Sequence, residues 1–285
     1  MITPIRRGRN KRWLNMTDQE CVQFLKWSLP RLRMRWNGFR KVRGQVCKRI
    51  DRRLHELGLA DTAAYGSLLE QNRDEWEVLD SLCRVTISRF YRDREVFRLL
   101  EQDVLARLCE AAMAQGDREL RCWSIGCASG EEPYTLAILW DLGTGRLFPS
   151  MKISILATDA DLTMIERAKE GCYAQGSLRE LPLERKTDLI REGAGFCVRS
   201  EEREKVIFLE QDIRKELPEG LFHLILCRNV AFTYFDEELQ KEILTRLLGK
   251  LHDRGVLVVG SHEALPPGVE GFARWTGCPG AYRKE

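Results

Sequence analysis

Gly126-Cys-Ala-Ser-Gly-Glu-Glu-Pro-Tyr134 combines two glycines, two adjacent carboxylates and a proline. It follows the short apolar strand Leu120–Ile125 and leads into a helix expected from about Glu132 to Leu142. Pro133 suits the first turn of that helix, where no backbone donor is lost. Glycines between a strand and a helix let the backbone approach a ligand without a Cβ in the way. Two glycines alone also describe an ordinary turn. The phosphate-binding pattern GxGxxG is absent, and Glu131 and Glu132 stand where a phosphate loop would carry a lysine. Carboxylates repel phosphates and suit a cationic amino-acid group. A second strand, Ile153–Thr158, ends in Ala157-Thr-Asp159. An acidic residue at that point commonly accepts hydrogen bonds from ribose hydroxyls, although Asp is also a common helix cap. Together the two segments point to an adenosyl cofactor without phosphates.

The surrounding elements must hold these residues at one edge of a sheet. Val206–Leu209, Leu221–Cys227 and Val256–Gly260 read as further strands, with helices over Leu162–Glu170 and Glu237–His252. Such alternation implies an α/β fold with a mainly parallel sheet and helices on both faces. Ligands of these sheets bind beyond the carboxyl ends of the strands. Phe196–Arg199 and Lys205–Leu209 read as a small hairpin excursion within residues 193–209. The first hundred residues read as helical. Thr17-Asp-Gln-Glu20 fits a capping box, and the helix it opens ends at Pro30. Val42, Val46, Ile50, Leu54 and Leu57 recur at helical spacing until Gly58 stops the helix. Asp61 and Asp74 are the expected caps of the next two. The expected divisions are an extension at 1–37, a helical domain at 38–92 and a cofactor-binding domain at 93–285.

Four segments in order resemble the CheR-type chemoreceptor glutamate methyltransferases: Ser88-Arg-Phe-Tyr-Arg92, Gly126–Tyr134, Ala157-Thr-Asp-Ala-Asp161, and Cys227-Arg-Asn-Val230 with Tyr234-Phe-Asp236. Arg52-Arg-Leu-His-Glu-Leu-Gly58 also resembles the N-terminal domain of that family. The resemblance implies a class I (Rossmann-like) fold that uses S-adenosyl-L-methionine (AdoMet) and releases S-adenosyl-L-homocysteine. A helical N-terminal domain and a small β-subdomain at 193–209 are implied with it. It implies cofactor contacts from Thr86, Ser88, Arg92, Gly126 and Glu132. Asp159 would hold the ribose, Asp212 and Ile213 would flank the adenine, and Asn229 and Val230 would lie under the methionine end. Arg92 and Tyr234 match the positions on the catalytic, substrate-facing side.

Methylation of a glutamate is consistent with this set of residues. A glutamate carboxylate, with a reference pKa of ~4.3, is already ionised near neutral pH and needs no general base. The remaining task is alignment and exclusion of water. Arg92 would orient the carboxylate by paired hydrogen bonds, and Tyr234 would donate one more. Three departures from the family pattern stand out. Thr86 and Ser88 replace Asn and Thr, four residues separate Asn229 from Tyr234 where three are expected, and Gly260-Ser-His-Glu263 replaces Gly-His-Ser-Glu. His262 is therefore expected to pack or hydrogen-bond at a strand end.

Residues 1–55 hold 16 Lys and Arg against 3 Asp and Glu, leaving 30 and 40 for the rest of the chain. A basic first fifth on an acid-rich body suggests an anionic partner. The resemblance implies an acidic, helical receptor, with Lys41, Lys48, Arg49, Arg52 and Arg53 on the binding face. Nucleic acid is the other anionic partner to consider, and a solvated helix face is the plain alternative. Other acceptors remain open: another protein, a small carboxylate or RNA. A module that senses AdoMet without catalysis is the reading outside enzymes. The ten cysteines are scattered with no CxxC pair, so free apolar thiols are expected in place of metal sites or disulfides. No apolar run approaches the ~20 residues of a membrane span, and the N-terminus lacks the apolar stretch of a secretory signal. A cytoplasmic monomer without metal is the expectation.

Overall fold

The computed structural model describes residues 16–182, 189–193, 195–278 and 280–285. The chain forms two compact units. A helical unit comprises Met1–Val85 with Tyr234–Asp236, and a sheet unit comprises Thr86–Thr233 with Glu237–Glu285.

In the helical unit, α1 (Asp18–Ser28) opens with the expected capping box, Thr17 and Glu20 satisfying one another's backbone donors. A 3₁₀ turn through Pro30 follows, then α2 (Trp36–Phe39) and α3 (Arg43–Glu56). The apolar stripe of α3 is buried at Val46, Ile50 and Leu54, and Gly58 takes the left-handed conformation just past its end. Asp61 caps α4 (Thr62–Gln71). The cap of α5 (Arg73–Cys83) is Asn72, whose side chain accepts from the backbone of Asp74 and Glu75. Asp74, the expected cap, sits instead in the first turn, where its charge favours the positive end of the helix. Residues 16–37 are not a separate extension. Cys21, Leu25 and Leu29 are wholly buried, Phe24 stacks on Tyr65 at 5.5 Å and Trp27 meets Trp76 at 5.6 Å. Trp13 lies outside the described residues.

The unit also buries an ionic group. Glu75 accepts from Arg53 Nε at 2.9 Å and Nη2 at 2.7 Å, and from the Tyr65 hydroxyl at 2.7 Å. The Arg53 guanidinium holds the Glu75 carboxyl below its ordinary range. Tyr234–Asp236 pairs with the segment before α2: Arg35 N–H donates to Tyr234 O at 2.8 Å and Asp236 N–H to Arg33 O at 2.9 Å.

The sheet unit begins with α6 (Arg94–Leu99) and α7 (Leu105–Ala114), joined through a π-turn. Then come β1 (Glu119–Ile125), α8 (Glu131–Leu139), the short α9 (Gly145–Leu147), β2 (Lys152–Asp159) and α10 (Leu162–Glu170). Three short strands follow, β3 (Cys172–Ala174), β4 (Leu189–Glu192) and β5 (Gly195–Val198), then α11 (Ser200–Arg203), β6 (Val206–Glu210) and β7 (Phe222–Leu226). The chain closes through α12 (Ala231–Tyr234), α13 (Glu237–Leu248), β8 (Leu251–Val258), β9 (Phe272–Arg274) and β10 (Ala281–Lys284). The main sheet has the order β6-β2-β1-β7-β8-β10-β9. Its first five strands are parallel, and β10 runs antiparallel to both of its neighbours, β8 and β9. β7, buried along its whole length, and β1, buried over residues 122–125, are central, as expected of strands covered on both faces. Their carboxyl ends, with that of β2, carry Gly126, Cys227 and Asp159.

Four expectations change. Residues 193–209 do not form one hairpin: β5 lies between β3 and β4 in a separate three-stranded sheet, while β6 is the edge of the main sheet beside β2. A short continuous apolar segment fits either sheet, and parallel pairing with β2 decides it. The domain division falls at Val85, seven residues before the expected one. The last long helix ends at Leu248, and His252, expected within it, lies in β8. Finally, Cys21 is bonded to Cys47 and Cys172 to Cys197. Helix packing joins the first pair, and the second faces across the β3–β5 ladder. The other six cysteines form no disulfide and are buried, as expected of small apolar side chains.

Candidate active site

The turn after β1 is built from left-handed backbone. Gly126, Ala128 and Gly130 have φ of 67°, 46° and 90°. Such values are uncommon for a residue with a side chain, and Ala128 is held there by its N–H donating to Asp159 at 2.8 Å. A Cβ on Gly126 would lie 2.3 Å from the Val230 side chain. The glycine therefore allows the turn to close on the segment after β7, and the first partner of its bare backbone is Val230. Asp159 also accepts from Asp161 N–H at 2.9 Å, and Asp161 caps α10. Asp159 thus ties the first turn to the second, leaving the helix cap to Asp161.

Glu132 is fixed from two sides. Ser124 at the end of β1 donates to one oxygen at 2.8 Å, and Arg228 Nη1 to the other at 2.7 Å. The Arg228 side chain is only 1% exposed. Its Nη2 donates to Asp93 at 2.9 Å and to Arg92 O at 2.6 Å, and its guanidinium lies 4.9 Å over Phe97. One buried cation thus joins two carboxylates and the backbone of Arg92. A charge taken from water at this depth is tolerated only when paired and hydrogen-bonded.

Arg92 donates to Ile87 O at 2.7 Å and to Asn229 Oδ1 at 3.1 Å. The guanidinium stays partly exposed, with donors left for an incoming carboxylate. Asn229 has φ of 58°, and its backbone N–H donates to Glu263 at 2.8 Å. Glu263 also accepts from Gly260 N–H at 2.6 Å and from the Thr233 hydroxyl. Burial raises the Glu263 carboxyl above its ordinary value, outweighing these three donors.

The structure therefore brings Arg92, Gly126, Glu132, Asp159, Asn229 and Val230 to one end of the sheet. Thr86 and Ser88 lie on the extended segment leading to Arg92, and neither side chain has a hydrogen-bond partner among the described residues. Asp212 forms an ion pair with Arg214 at 2.6 Å, and Ile213 beside it is buried. Tyr234 belongs to the helical unit, its ring 5.1 Å from that of Phe39. His262 is exposed. Arg228 and Glu263 were missed from sequence. An arginine after an apolar strand was the available signal for the first, and the Glu of the altered Gly-Ser-His-Glu segment for the second.

The basic helix divides. Arg53 is committed to Glu75 and Glu56, and Arg49 donates to the carbonyls of Leu82 and Arg84. Lys41, Lys48 and Arg52 are exposed. Away from the site, Asp117, His223 and His252 bring possible ligand atoms within 4.8 Å of one another. Arg121 N–H donates to His223 Nδ1 at 3.0 Å, so in the neutral ring Nε2 carries the proton facing Asp117. A ligating histidine normally donates through its other nitrogen. The group is a hydrogen-bonded pair with stacked imidazoles 4.1 Å apart.

Residues 86–278 match the family model described as CheR methyltransferase, SAM binding domain. The chemotaxis protein methyltransferase of Listeria innocua is 33% identical over 214 residues, covering 73% of this chain and 78% of the relative. That of Escherichia coli K12 is 32% identical over 234 residues, covering 78% and 76%. An uncharacterised 104.1 kDa protein of Rhodobacter capsulatus is 32% identical over 225 residues, covering 78% of this chain and 23% of that longer relative. Cofactor-end geometry and matched residues agree, and the chain belongs to the CheR family of AdoMet-dependent methyltransferases.

Proposed function

We propose that the chain transfers the methyl group of AdoMet to glutamate side chains of an acidic, helical chemoreceptor-like protein, giving methyl esters. The observation that carries this reading is the Arg92–Asn229 pair, where a part-exposed guanidinium is held beside the cofactor end of the sheet.

The donor set suits AdoMet. Asp93, Glu132 and Asp159 outnumber the cations Arg92 and Arg228 around the turn, which favours a ligand with ammonium and sulfonium charge. Gln211 Oε1, just past β6, is buried without a hydrogen-bond partner among the described residues, as a site for a ligand donor would be. Glu132, Asp159, Asp212, Ile213, Asn229 and Val230 would hold the cofactor, with Thr86 and Ser88 offering hydroxyls. When bound, AdoMet supplies an electrophilic methyl carbon on a positively charged sulfur. Arg92 receives the acceptor carboxylate through paired N–H donors. The acceptor carboxylate, held by Arg92, would take that methyl group on one oxygen, with the C–S bonding pair left on sulfur. No proton moves, so the protein contributes alignment and exclusion of water.

Lys41, Lys48 and Arg52 would steer an acidic partner by field, in a cytoplasmic setting. Incubation with methyl-labelled AdoMet and receptor cytoplasmic helices should give label that mild base releases as methanol. Label confined to nuclease-sensitive material would favour the RNA reading instead.

A further inference from the structure

The antiparallel edge of the sheet unit holds a second cleft, built from none of the residues at the cofactor end. Its volume is about 460 Å³, and it opens between α7 and strands β8, β9 and β10. Its walls carry four arginines: Arg107 from α7, Arg254 from β8, Arg274 from β9 and Arg283 from β10. Strand order brings the three strands that carry Arg254, Arg274 and Arg283 side by side, since β10 pairs with both β8 and β9. Glu110 is the single lining carboxylate.

Arg107 is matched by Asp103 at 2.6 Å. Arg254, Arg274 and Arg283 make no side-chain hydrogen bond or ion pair among the described residues. The cluster does not follow from a generally basic body, because residues 56–285 hold 40 acidic against 30 basic side chains. Unopposed guanidinium groups around a concavity repel one another, and low-dielectric walls focus their field on whatever enters. Arginine stays charged at any working pH, and its planar fork matches phosphate oxygens two at a time. The volume lies in the small-ligand range of ~300–1,000 Å³. Trp275 in the same wall is already engaged: its Nε1 donates to Asp103 at 2.7 Å and the Arg107 guanidinium lies 5.8 Å over its ring. Single-stranded nucleic acid is held by free aromatic platforms as well as charge, so this wall favours a compact anion.

We propose that this cleft binds a compact polyphosphate group, whether free pyrophosphate or the phosphates of a nucleoside diphosphate or triphosphate. The proposal is independent of the methyl-transfer reading. Calorimetric titration of the full chain with pyrophosphate, ADP and adenosine, each in the presence of saturating S-adenosylhomocysteine so that the cofactor site is filled, tests it. Pyrophosphate and ADP should bind and weaken as salt rises, whereas adenosine should not bind. The double substitution Arg254→Ala/Arg283→Ala should lower pyrophosphate affinity by at least ~tenfold. The charge-matched control Lys152→Ala/Arg191→Ala should change it by less than ~twofold. S-adenosylhomocysteine affinity should stay the same in both, which keeps a failure here distinct from a failure of the cofactor site. Thermal melts confirm folding, and Arg274→Ala is a single-site alternative should the double variant not fold. No pyrophosphate binding at millimolar concentration, equal losses in the two double variants, or equal affinity for ADP and adenosine would overturn the proposal.

Discussion

Each unit pairs carboxylate with arginine and buries one of the partners, Glu75 in the helical unit and Arg228 in the sheet unit, but with different surroundings. In the helical unit, Glu75 receives Arg53 and Tyr65, and the backbone carrying them is ordinary helix. In the sheet unit, Glu132 and Asp93 receive Arg228, and the neighbouring backbone is left-handed at Tyr91, Asp93, Ala128 and Asn229. A non-glycine residue held in that region costs roughly 1–3 kcal/mol, and of these four Asp93 pairs with Arg228 while Asn229 follows it in the chain. Buried charge alone therefore does not mark a site in this chain. Buried charge surrounded by strained backbone does, because the strain persists only where the surroundings over-determine it.

Breaking each network separates the two roles. Arg228→Leu leaves Glu132 and Asp93 without their cation, and should cost about 3–5 kcal/mol in urea unfolding and abolish S-adenosylhomocysteine binding. Arg53→Met should cost less, since Arg53 is partly exposed, and leave that binding intact; a loss of binding there would contradict the division of roles. Arg92→Met should lower kcat by ~10²–10³-fold, with stability within about 1 kcal/mol of the parent. A comparable fall in stability would make Arg92 a structural residue. Tyr65→Phe removes one buried hydrogen bond and should cost about 1 kcal/mol, with methyl transfer unchanged.

The smallest effect concerns Glu263. Its folded carboxyl titrates above the ordinary value because it is buried, so the folded state holds that proton more tightly than the unfolded chain. This contribution to stability is present at low pH and is lost as pH rises through the raised value. Glu263→Gln keeps one acceptor for the two backbone N–H groups and turns an amide donor toward Thr233. Its melting temperature should therefore exceed that of the parent at neutral pH, and the gap should close in acid. A gap independent of pH would contradict the assignment.

Much of the cofactor end was legible because its chemistry lies in contiguous strings. The Gly126–Tyr134 turn, Asp159 and Asn229-Val230 each follow a strand whose apolar run is plain. Arg228 was not legible, since an arginine two residues beyond an apolar strand normally reaches solvent, and only the fold supplies Asp93 and Glu132. Gly126 was read as room for a ligand, whereas its bare backbone first makes room for Val230. The second disulfide was illegible for a related reason: Cys172 and Cys197 meet only because β5 pairs with β3. Val206–Leu209 is a short apolar run that serves a hairpin or a buried parallel strand equally, and only its pairing with β2 assigns it to the main sheet.

The identity of the methylated atom tests the central claim most directly. Receptor cytoplasmic helices incubated with the chain and AdoMet should carry the methyl group on glutamate carboxylate oxygens, located by fragment mass spectrometry and lost in mild alkali. A base-stable methyl group on nitrogen, sulfur or carbon, from the same incubation, would contradict the account.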